Sequence, residues 1–401
     1  MNFYPKVTLL TTLILSSAAV AAPNTLTGDW AGNRTALDEY GLSLQGEYTN
    51  IVQSAVSGGD GTNVSHRFDL LASLDIEKLG GWSGGKLHTQ VVARGGEANE
   101  FGIHYLSLAN SGQYGEDKSL FFSSFYYSHQ FSSNTSLLAG KIDAFELLRH
   151  APFYGGATRH GFLNVAFAAP PSGVTPPSFV GAIANHTIGS TRLSAMVYDP
   201  RDRYTNDLDF SGLFEDGVNV SVSATHNTQW FDRGTSLSLA YTYSTEEGID
   251  YRSLDPEVGF TTNSKYKYNA RAQISHNLVE SEQNPRDAWG VHIRAAIADG
   301  NPNIIDATLV GGIGGSALFF NRPMDNWGLG YYYYDLSNDL QDSVNSLPIA
   351  DKFQNEHGFE AYYSYQAMPW LTFTADVQYL TPAVSTQEDT WLVGLRTNIR
   401  F

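Results

Sequence analysis

From residue 42 onward, apolar and polar residues alternate in short runs, and the alternation recurs almost to the end of the chain. The last run is the clearest. Trp391, Val393, Leu395, Thr397, Ile399 and Phe401 fall on one face; Leu392, Gly394, Arg396, Asn398 and Arg400 fall on the other. A β-strand repeats every two residues, so this sets an apolar face against one medium and a basic, hydrogen-bonding face against another. A final aromatic suits the last strand of an outer-membrane barrel, whose lipid face is rimmed by aromatic girdles. An ordinary edge strand of a soluble β-sandwich is the weaker alternative for this one segment.

The rest of the chain separates the two. Runs such as Phe68-Leu70-Ala72-Leu74-Ile76, Val218-Val220-Val222-Ala224 and Leu371-Phe373-Ala375-Val377-Tyr379 repeat the pattern, with weaker ones at Phe179 to His186 and Thr308 to Phe319. They number roughly sixteen, an even count that suits a closed barrel with both ends on one side. With the N-terminus in the periplasm, every second connection should be a short turn. Ser132 to Asn134, Ile188 to Ser190, Asn321 to Asp325 and Ala367 to Trp370 are short. Gly96 to Lys118, Ala144 to Ser178, Pro200 to Asp216, Thr245 to Lys265 and Ser337 to Asn355 are long. A sandwich gives no reason for this alternation. Asn277 to Arg286 is longer than the scheme wants.

Ahead of the runs, Met1 to Ala21 reads as a secretory signal: Lys6, a mostly apolar stretch from Val7 to Val20, then Ala19-Val20-Ala21 as the cleavage site. Asp29 to Tyr40 reads as a short helix with Gly41 as its stop. The predicted organisation is therefore a signal peptide over 1–21, a periplasmic helical segment over 22–41, and an all-β transmembrane antiparallel barrel over 42–401.

A mean hydropathy of -0.24 looks soluble, yet 23 tyrosines, 22 phenylalanines and seven tryptophans are a heavy aromatic load. A membrane barrel reconciles them, because only alternate residues meet lipid and the interfaces collect aromatics. The formal charge of -17 removes nucleic acid as a partner, since a polyanion needs a basic footprint. Without cysteine there is no disulfide framework and no thiolate metal site. The histidines show no His-Glu-x-x-His pair, and Gly311 to Gly315 lacks the strand–helix setting of a phosphate loop. No cofactor and no metal are expected.

Several segments resemble the carbohydrate-selective porin family typified by the glucose porin of pseudomonads. Leu26-Thr27-Gly28-Asp29-Trp30, continuing to Arg34, Leu37 and Gly41, resembles the family's N-terminal signature. Tyr127 to Phe131, Gly140-Lys141-Ile142-Asp143 and Asn164-Val165-Ala166-Phe167 with prolines 170, 171, 176 and 177 resemble its middle. Asn321-Arg322-Pro323-Met324-Asp325 before Trp327-Gly328-Leu329-Gly330 resembles its late repeat, and Asp376-Val377-Gln378-Tyr379-Leu380 with Gly394-Leu395-Arg396 its C-terminal block. The likeness is collinear over nearly the whole mature chain. Ala375 stands where the family usually has proline, and the loops look trimmed. The resemblance implies sugar diffusion across the outer membrane and an N-terminal helix that partly blocks the periplasmic mouth.

Parity then names the lumen. Once the apolar register is set, the intervening residues point inward: Glu47, Arg67, Asp69, His88, Gln90, Arg94, Arg192, Arg271, Gln273, His292, Arg294, Glu360, Asp376, Gln378, Arg396 and Arg400. Guanidinium groups donate paired hydrogen bonds to hydroxyls, carboxylates and amides accept them, and aromatic rings lie on the C–H face of a pyranose. The alternative is that these charges merely pair across the lumen and stiffen it. The longest connection, 144–178, carries Glu146, Arg149, His150, Phe153, Tyr154, Arg159, His160, Phe162 and Asn164. Long ordered loops are usually functional, so this one is expected to fold inward as a constriction. Arg94 and Arg159 are expected to meet the inward acids at its narrowest section.

The partners expected are carbohydrates and outer-membrane lipid, and a homotrimer is among the assemblies this reading allows. A general or cation-preferring pore is the alternative, suggested by the net charge. A barrel hydrolase would need a serine held by a histidine and an orienting partner. Ser128-His129 and Ser275-His276 are only sequence neighbours, whose side chains point to opposite faces of a strand.

Overall fold

The computed structural model describes residues 24–110, 120–148, 159–169, 172 and 174–401. The signal-peptide reading of 1–21, and the readings placed on Arg149, His150, Phe153 and Tyr154, lie outside them. Sixteen antiparallel strands close into one barrel. They are β1 (Leu42–Ser57), β2 (Thr62–Asp75), β3 (Gly85–Gly96), β4 (Phe121–Ser132), β5 (Thr135–Asp143), β6 (Ser178–Ile188), β7 (Thr191–Tyr198) and β8 (Asn219–Trp230). The second half comprises β9 (Arg233–Ser244), β10 (Lys267–Glu280), β11 (Ala288–Ala298), β12 (Ile305–Ala317), β13 (Arg322–Leu336), β14 (Glu356–Met368), β15 (Leu371–Thr381) and β16 (Thr390–Arg400). Each strand pairs with its sequence neighbour, and β16 closes on β1 with Val52 opposite Leu395 and Glu47 opposite Arg400. Closure leaves no unpaired edge, which a membrane requires.

The outer face is apolar. Leu193, Val222, Leu239, Ile293, Leu309, Leu329, Val377, Trp391 and Leu395 all stand exposed on it. Four consecutive tyrosines, 331–334, split as parity demands: Tyr331 is exposed, whereas Tyr332 and Tyr334 are fully buried inside the barrel.

Several boundaries differ from the sequence reading. Residues 322–325, read as turn, begin β13, where Asp325 accepts from Tyr363 Oη at 2.7 Å and from Gln366 N at 2.9 Å. Strand β10 runs on to Glu280, with a bulge between Asn277 and Val279. The bulge explains the over-long turn, because an extra residue breaks the alternation by which a strand is recognised. At the N-terminus, α1 spans Asn33–Glu39, after a 3₁₀ turn in which Ala31 has φ +56°. Asp29 accepts from Thr35 N at 3.0 Å and from Thr35 Oγ1 at 2.9 Å, and Gly41, at φ +97°, ends the turn.

The helical segment is tied to the rim by Leu26 N to Arg400 O at 2.7 Å and Lys78 Nζ to Asp38 O at 2.5 Å. The short turns at 133–134, 189–190 and 231–232 lie at this end of the barrel; in bacterial barrels it faces the periplasm. Two of the longer connections carry structure of their own: four two-residue strands form two small sheets between β9 and β10, and α2, at Asn338–Asn345, lies between β13 and β14.

Candidate pore constriction

Wall strands alone leave a wide lumen, and three long connections fill part of it. The connection after β5 opens with a helical turn at Ala144–Leu147, which the Asp143 carboxylate caps by accepting from Phe145 N at 2.9 Å and Glu146 N at 3.4 Å. Its residues 161–168 are buried inside the barrel. Asn164 caps a 3₁₀ turn over Val165–Phe167 by accepting from Ala166 N at 2.9 Å.

An apolar core and a set of backbone clamps hold this segment against β11 to β16. Phe162 and Phe167 stack on each other at 4.1 Å and reach Tyr362 and Tyr332 edge-on. The wall makes room for them with glycine: a Cβ on Gly330 would stand 2.3 Å from the Phe167 ring. Glu360 accepts from Leu163 N at 2.6 Å and Asn164 N at 2.9 Å. Arg396 donates to Gly161 O at 2.7 Å, and Arg294 to Ala166 O at 2.9 Å and Ala168 O at 3.2 Å.

The connection after β3 is held the same way. Glu356 accepts from Leu106 N at 2.7 Å and Ser107 N at 2.8 Å, and Gln378 donates to Ala109 O at 2.9 Å. Gln378 also donates to Asp376 at 3.0 Å and accepts from Asn164 Nδ2 at 3.2 Å. Val165 N to Leu108 O, at 2.9 Å, joins the two loops.

The charged centre lies on the β1 to β3 side. Arg159, almost wholly buried, donates to Glu146 and reaches Asp69 at 3.2 Å and Glu47 at 4.0 Å. Arg67 holds Asp69 through Nε and Nη2, at 2.7–3.0 Å, and donates Nη1 to Tyr204 Oη at 2.7 Å. Gln90 donates to Asp69 at 2.8 Å and to Glu146 at 3.4 Å, and His160 Nε2 meets Glu47 Oε1 at 2.6 Å. Burial pushes the His160 imidazole below its usual value, although Glu47 draws it up. The carboxylates around Arg159 hold its guanidinium firmly charged against the cost of burial.

The inward residues thus do different things. Glu47, Asp69, Glu146 and Arg159 come together in a single ionic centre, with Arg67 behind them. The Arg94 guanidinium lies over the rings of Phe121 at 5.2 Å and Tyr204 at 5.4 Å. Tyr204 comes from the connection after β7, a loop whose inward turn the sequence reading did not single out, and its phenol is pushed up by burial. Glu360, Gln378, Arg294 and Arg396 hold loop backbone, whereas Arg271 stays exposed in the lumen.

Missed from sequence were Glu356 and the packing of Phe162 and Phe167 on the wall. The glycines at 328 and 330, beside inward aromatics, were the available signal.

On the periplasmic side of the clamped loop lies a cavity of about 740 Å³. Its lining mixes Glu146, His160 and Arg396 with Asn326, Ser364 and Tyr126, whose ring stacks on His88 at 4.7 Å. None of the described residues of the N-terminal helix lines it. Among the described residues no cluster of His, Asp and Glu could hold a metal ion.

Comparison with known proteins agrees with this geometry. The family described as "Carbohydrate-selective porin, OprB family" matches residues 60–401. The chain is similar to the high-pH structure of Pseudomonas putida OprB, with 18% identity and a TM-score of 0.82, over 96% of this chain and 100% of that one. It is also similar to the low-pH structure of the same protein, with 15% identity and a TM-score of 0.61, over 95% and 99%. No curated protein matches the chain.

Proposed function

The chain belongs to the carbohydrate-selective porin, OprB family, an outer-membrane barrel that passes sugars, and on that premise we propose that it passes neutral monosaccharides and short oligosaccharides by diffusion, without chemistry on them. The ionic centre around Arg159 carries the reading. Its buried guanidinium, set among Glu47, Asp69 and Glu146, fixes Glu146 and, through Glu47, His160 at the cavity wall, where a carboxylate and an imidazole meet the needs of a hydroxyl, itself both donor and acceptor. The charged groups there are mostly taken up with one another, so a passing hydroxyl is held only weakly, and weak binding permits release.

In this reading the segment 144–178 is the constriction. Glu146 and His160, which face the cavity, touch the sugar, the buried Arg159, Glu47 and Asp69 hold them from behind, Arg67 and Arg94 support that centre, and Arg271 lines the remaining lumen. Glu360, Asp376, Gln378, Arg294 and Arg396 position the loop.

Purified protein in planar bilayers should conduct ions, and monosaccharides should block that current reversibly. Channels that ignore every sugar tested would leave a general pore. The acidic balance of -17 favours cations as the second reading, and a strongly cation-selective reversal potential without sugar block would establish it.

A further inference from the structure

On the outer face, three successive strand pairs carry the same cross-strand couple near the periplasmic rim. Thr135 stands opposite His186 on β5 and β6, Thr191 opposite His226 on β7 and β8, and Thr235 opposite His276 on β9 and β10. In each couple the threonine Oγ1 meets the histidine Nδ1, at 2.9, 2.9 and 2.8 Å respectively. Register places all three couples outward, since His186 pairs with Leu193, His226 with Leu237 and His276 with Val291. The couples step along the barrel with its strand stagger, so they follow the line of the short turns.

We propose that this arc binds the phosphodiester headgroups of glycerophospholipids in the periplasmic leaflet. The arc lies within the apolar belt: Leu193, Val222 and Leu239 stand exposed on its midplane side, and Ile188, Trp230 and Phe231 on its rim side. A polar ring in such a belt must find partners, because water is scarce and an unmet hydrogen bond is costly. The threonine occupies Nδ1. With its hydroxyl donating, the hydrogen sits on Nε2, across the ring, as it also does in the charged imidazole.

A donor at the edge of the hydrocarbon calls for an anionic or ester oxygen, and a phospholipid carries both at that depth. Arg233, on the same outward face as Thr235, adds a cation, partly offset by Glu280, whose carboxylate accepts from Gly234 N at 2.7 Å. The partner is therefore a phosphate-bearing lipid rather than a second copy of the chain, whose matching face would set the same donors against donors. The inference stands apart from the sugar reading, since no residue in it faces the lumen.

The test is native mass spectrometry of the full barrel, released from detergent with phosphatidylglycerol or with the phosphate-free lipid digalactosyldiacylglycerol. The triple variant H186L, H226L, H276L suits the belt and keeps the barrel foldable. Wild type should retain several-fold more phosphatidylglycerol than the variant, with galactolipid retention equal in both. The triple variant T135V, T191V, T235V, which removes only the ring anchors, should fall between. Equal phosphatidylglycerol retention in wild type and histidine variant would overturn the proposal. So would a parallel loss of galactolipid, which would mean apolar contact alone, or a wild-type oligomer that the variant dissolves, which would mean a subunit interface. Sugar block should be unchanged in every variant.

Discussion

Glu356 and Glu360 stand four residues apart on the inward face of β14 and perform the same task on different loops. Glu356 takes the backbone N–H groups of Leu106 and Ser107, and Glu360 those of Leu163 and Asn164. A carboxylate accepting two consecutive amides fixes both the position and the direction of a chain segment. A buried amide left without its acceptor costs roughly 1–3 kcal/mol, and each side chain serves two, so one side chain decides whether its loop stays docked.

Glu360→Ala should therefore release the segment carrying Leu163. Single-channel conductance should rise and sugar block weaken, while the barrel keeps its heat-resistant folded band on a gel. Glu360→Gln retains one acceptor and should fall between. Unchanged conductance in the alanine variant would mean that the aromatic packing suffices to hold the loop.

Phe167→Ala tests that packing. Removing a buried ring costs roughly 3–5 kcal/mol, and here the loss falls on loop docking. Gly330→Val should act similarly, because its side chain would claim the volume of the Phe167 ring. Limited proteolysis should then cut within 144–178 several-fold faster than in wild type, with the strands intact.

Arg159→Ala should shift the pore toward cations. It leaves Glu47, Asp69 and Glu146 short of their shared cation, and breaking such a buried group costs roughly 3–5 kcal/mol. The reversal potential in a salt gradient should move in the cation-selective direction, and sugar block should weaken.

Sugar block should weaken as the pH falls. The folded His160 has its value lowered by burial, so the undocked loop binds the proton first. The stabilisation is complete above the ordinary value of about 6.5 and is lost as pH falls through the lower folded one. Block measured from pH 8 to pH 5 should decline, and His160→Gln should flatten the profile. A profile unchanged by that substitution would assign the dependence to other groups.

The lipid face gives a control far from the lumen. Leu239→Arg places a charge in the apolar belt and should cost roughly 2–4 kcal/mol in folding into bilayers. Once folded, the variant should retain sugar block.

Alternation within the strands, with the long–short rhythm of the connections, determined the barrel. One face of each strand must meet lipid and the other water, and this constraint is local enough to be written every two residues, as in Trp391 to Phe401. It also named the inward residues, because parity is fixed once the apolar register is known. It failed at the bulge near Asn277, where a single extra residue breaks the period. What the inward residues do was decided only by tertiary structure. Arg94 and Arg159 look alike in sequence, yet one lies over Phe121 and Tyr204 and the other among three carboxylates. Glu360 looks like a pore carboxylate, yet it holds the backbone of a loop nearly 200 positions away. Such partners meet only because closing the sheet brings loops from distant strands into one lumen, and no periodicity along the chain encodes which loop backbone will face which wall residue.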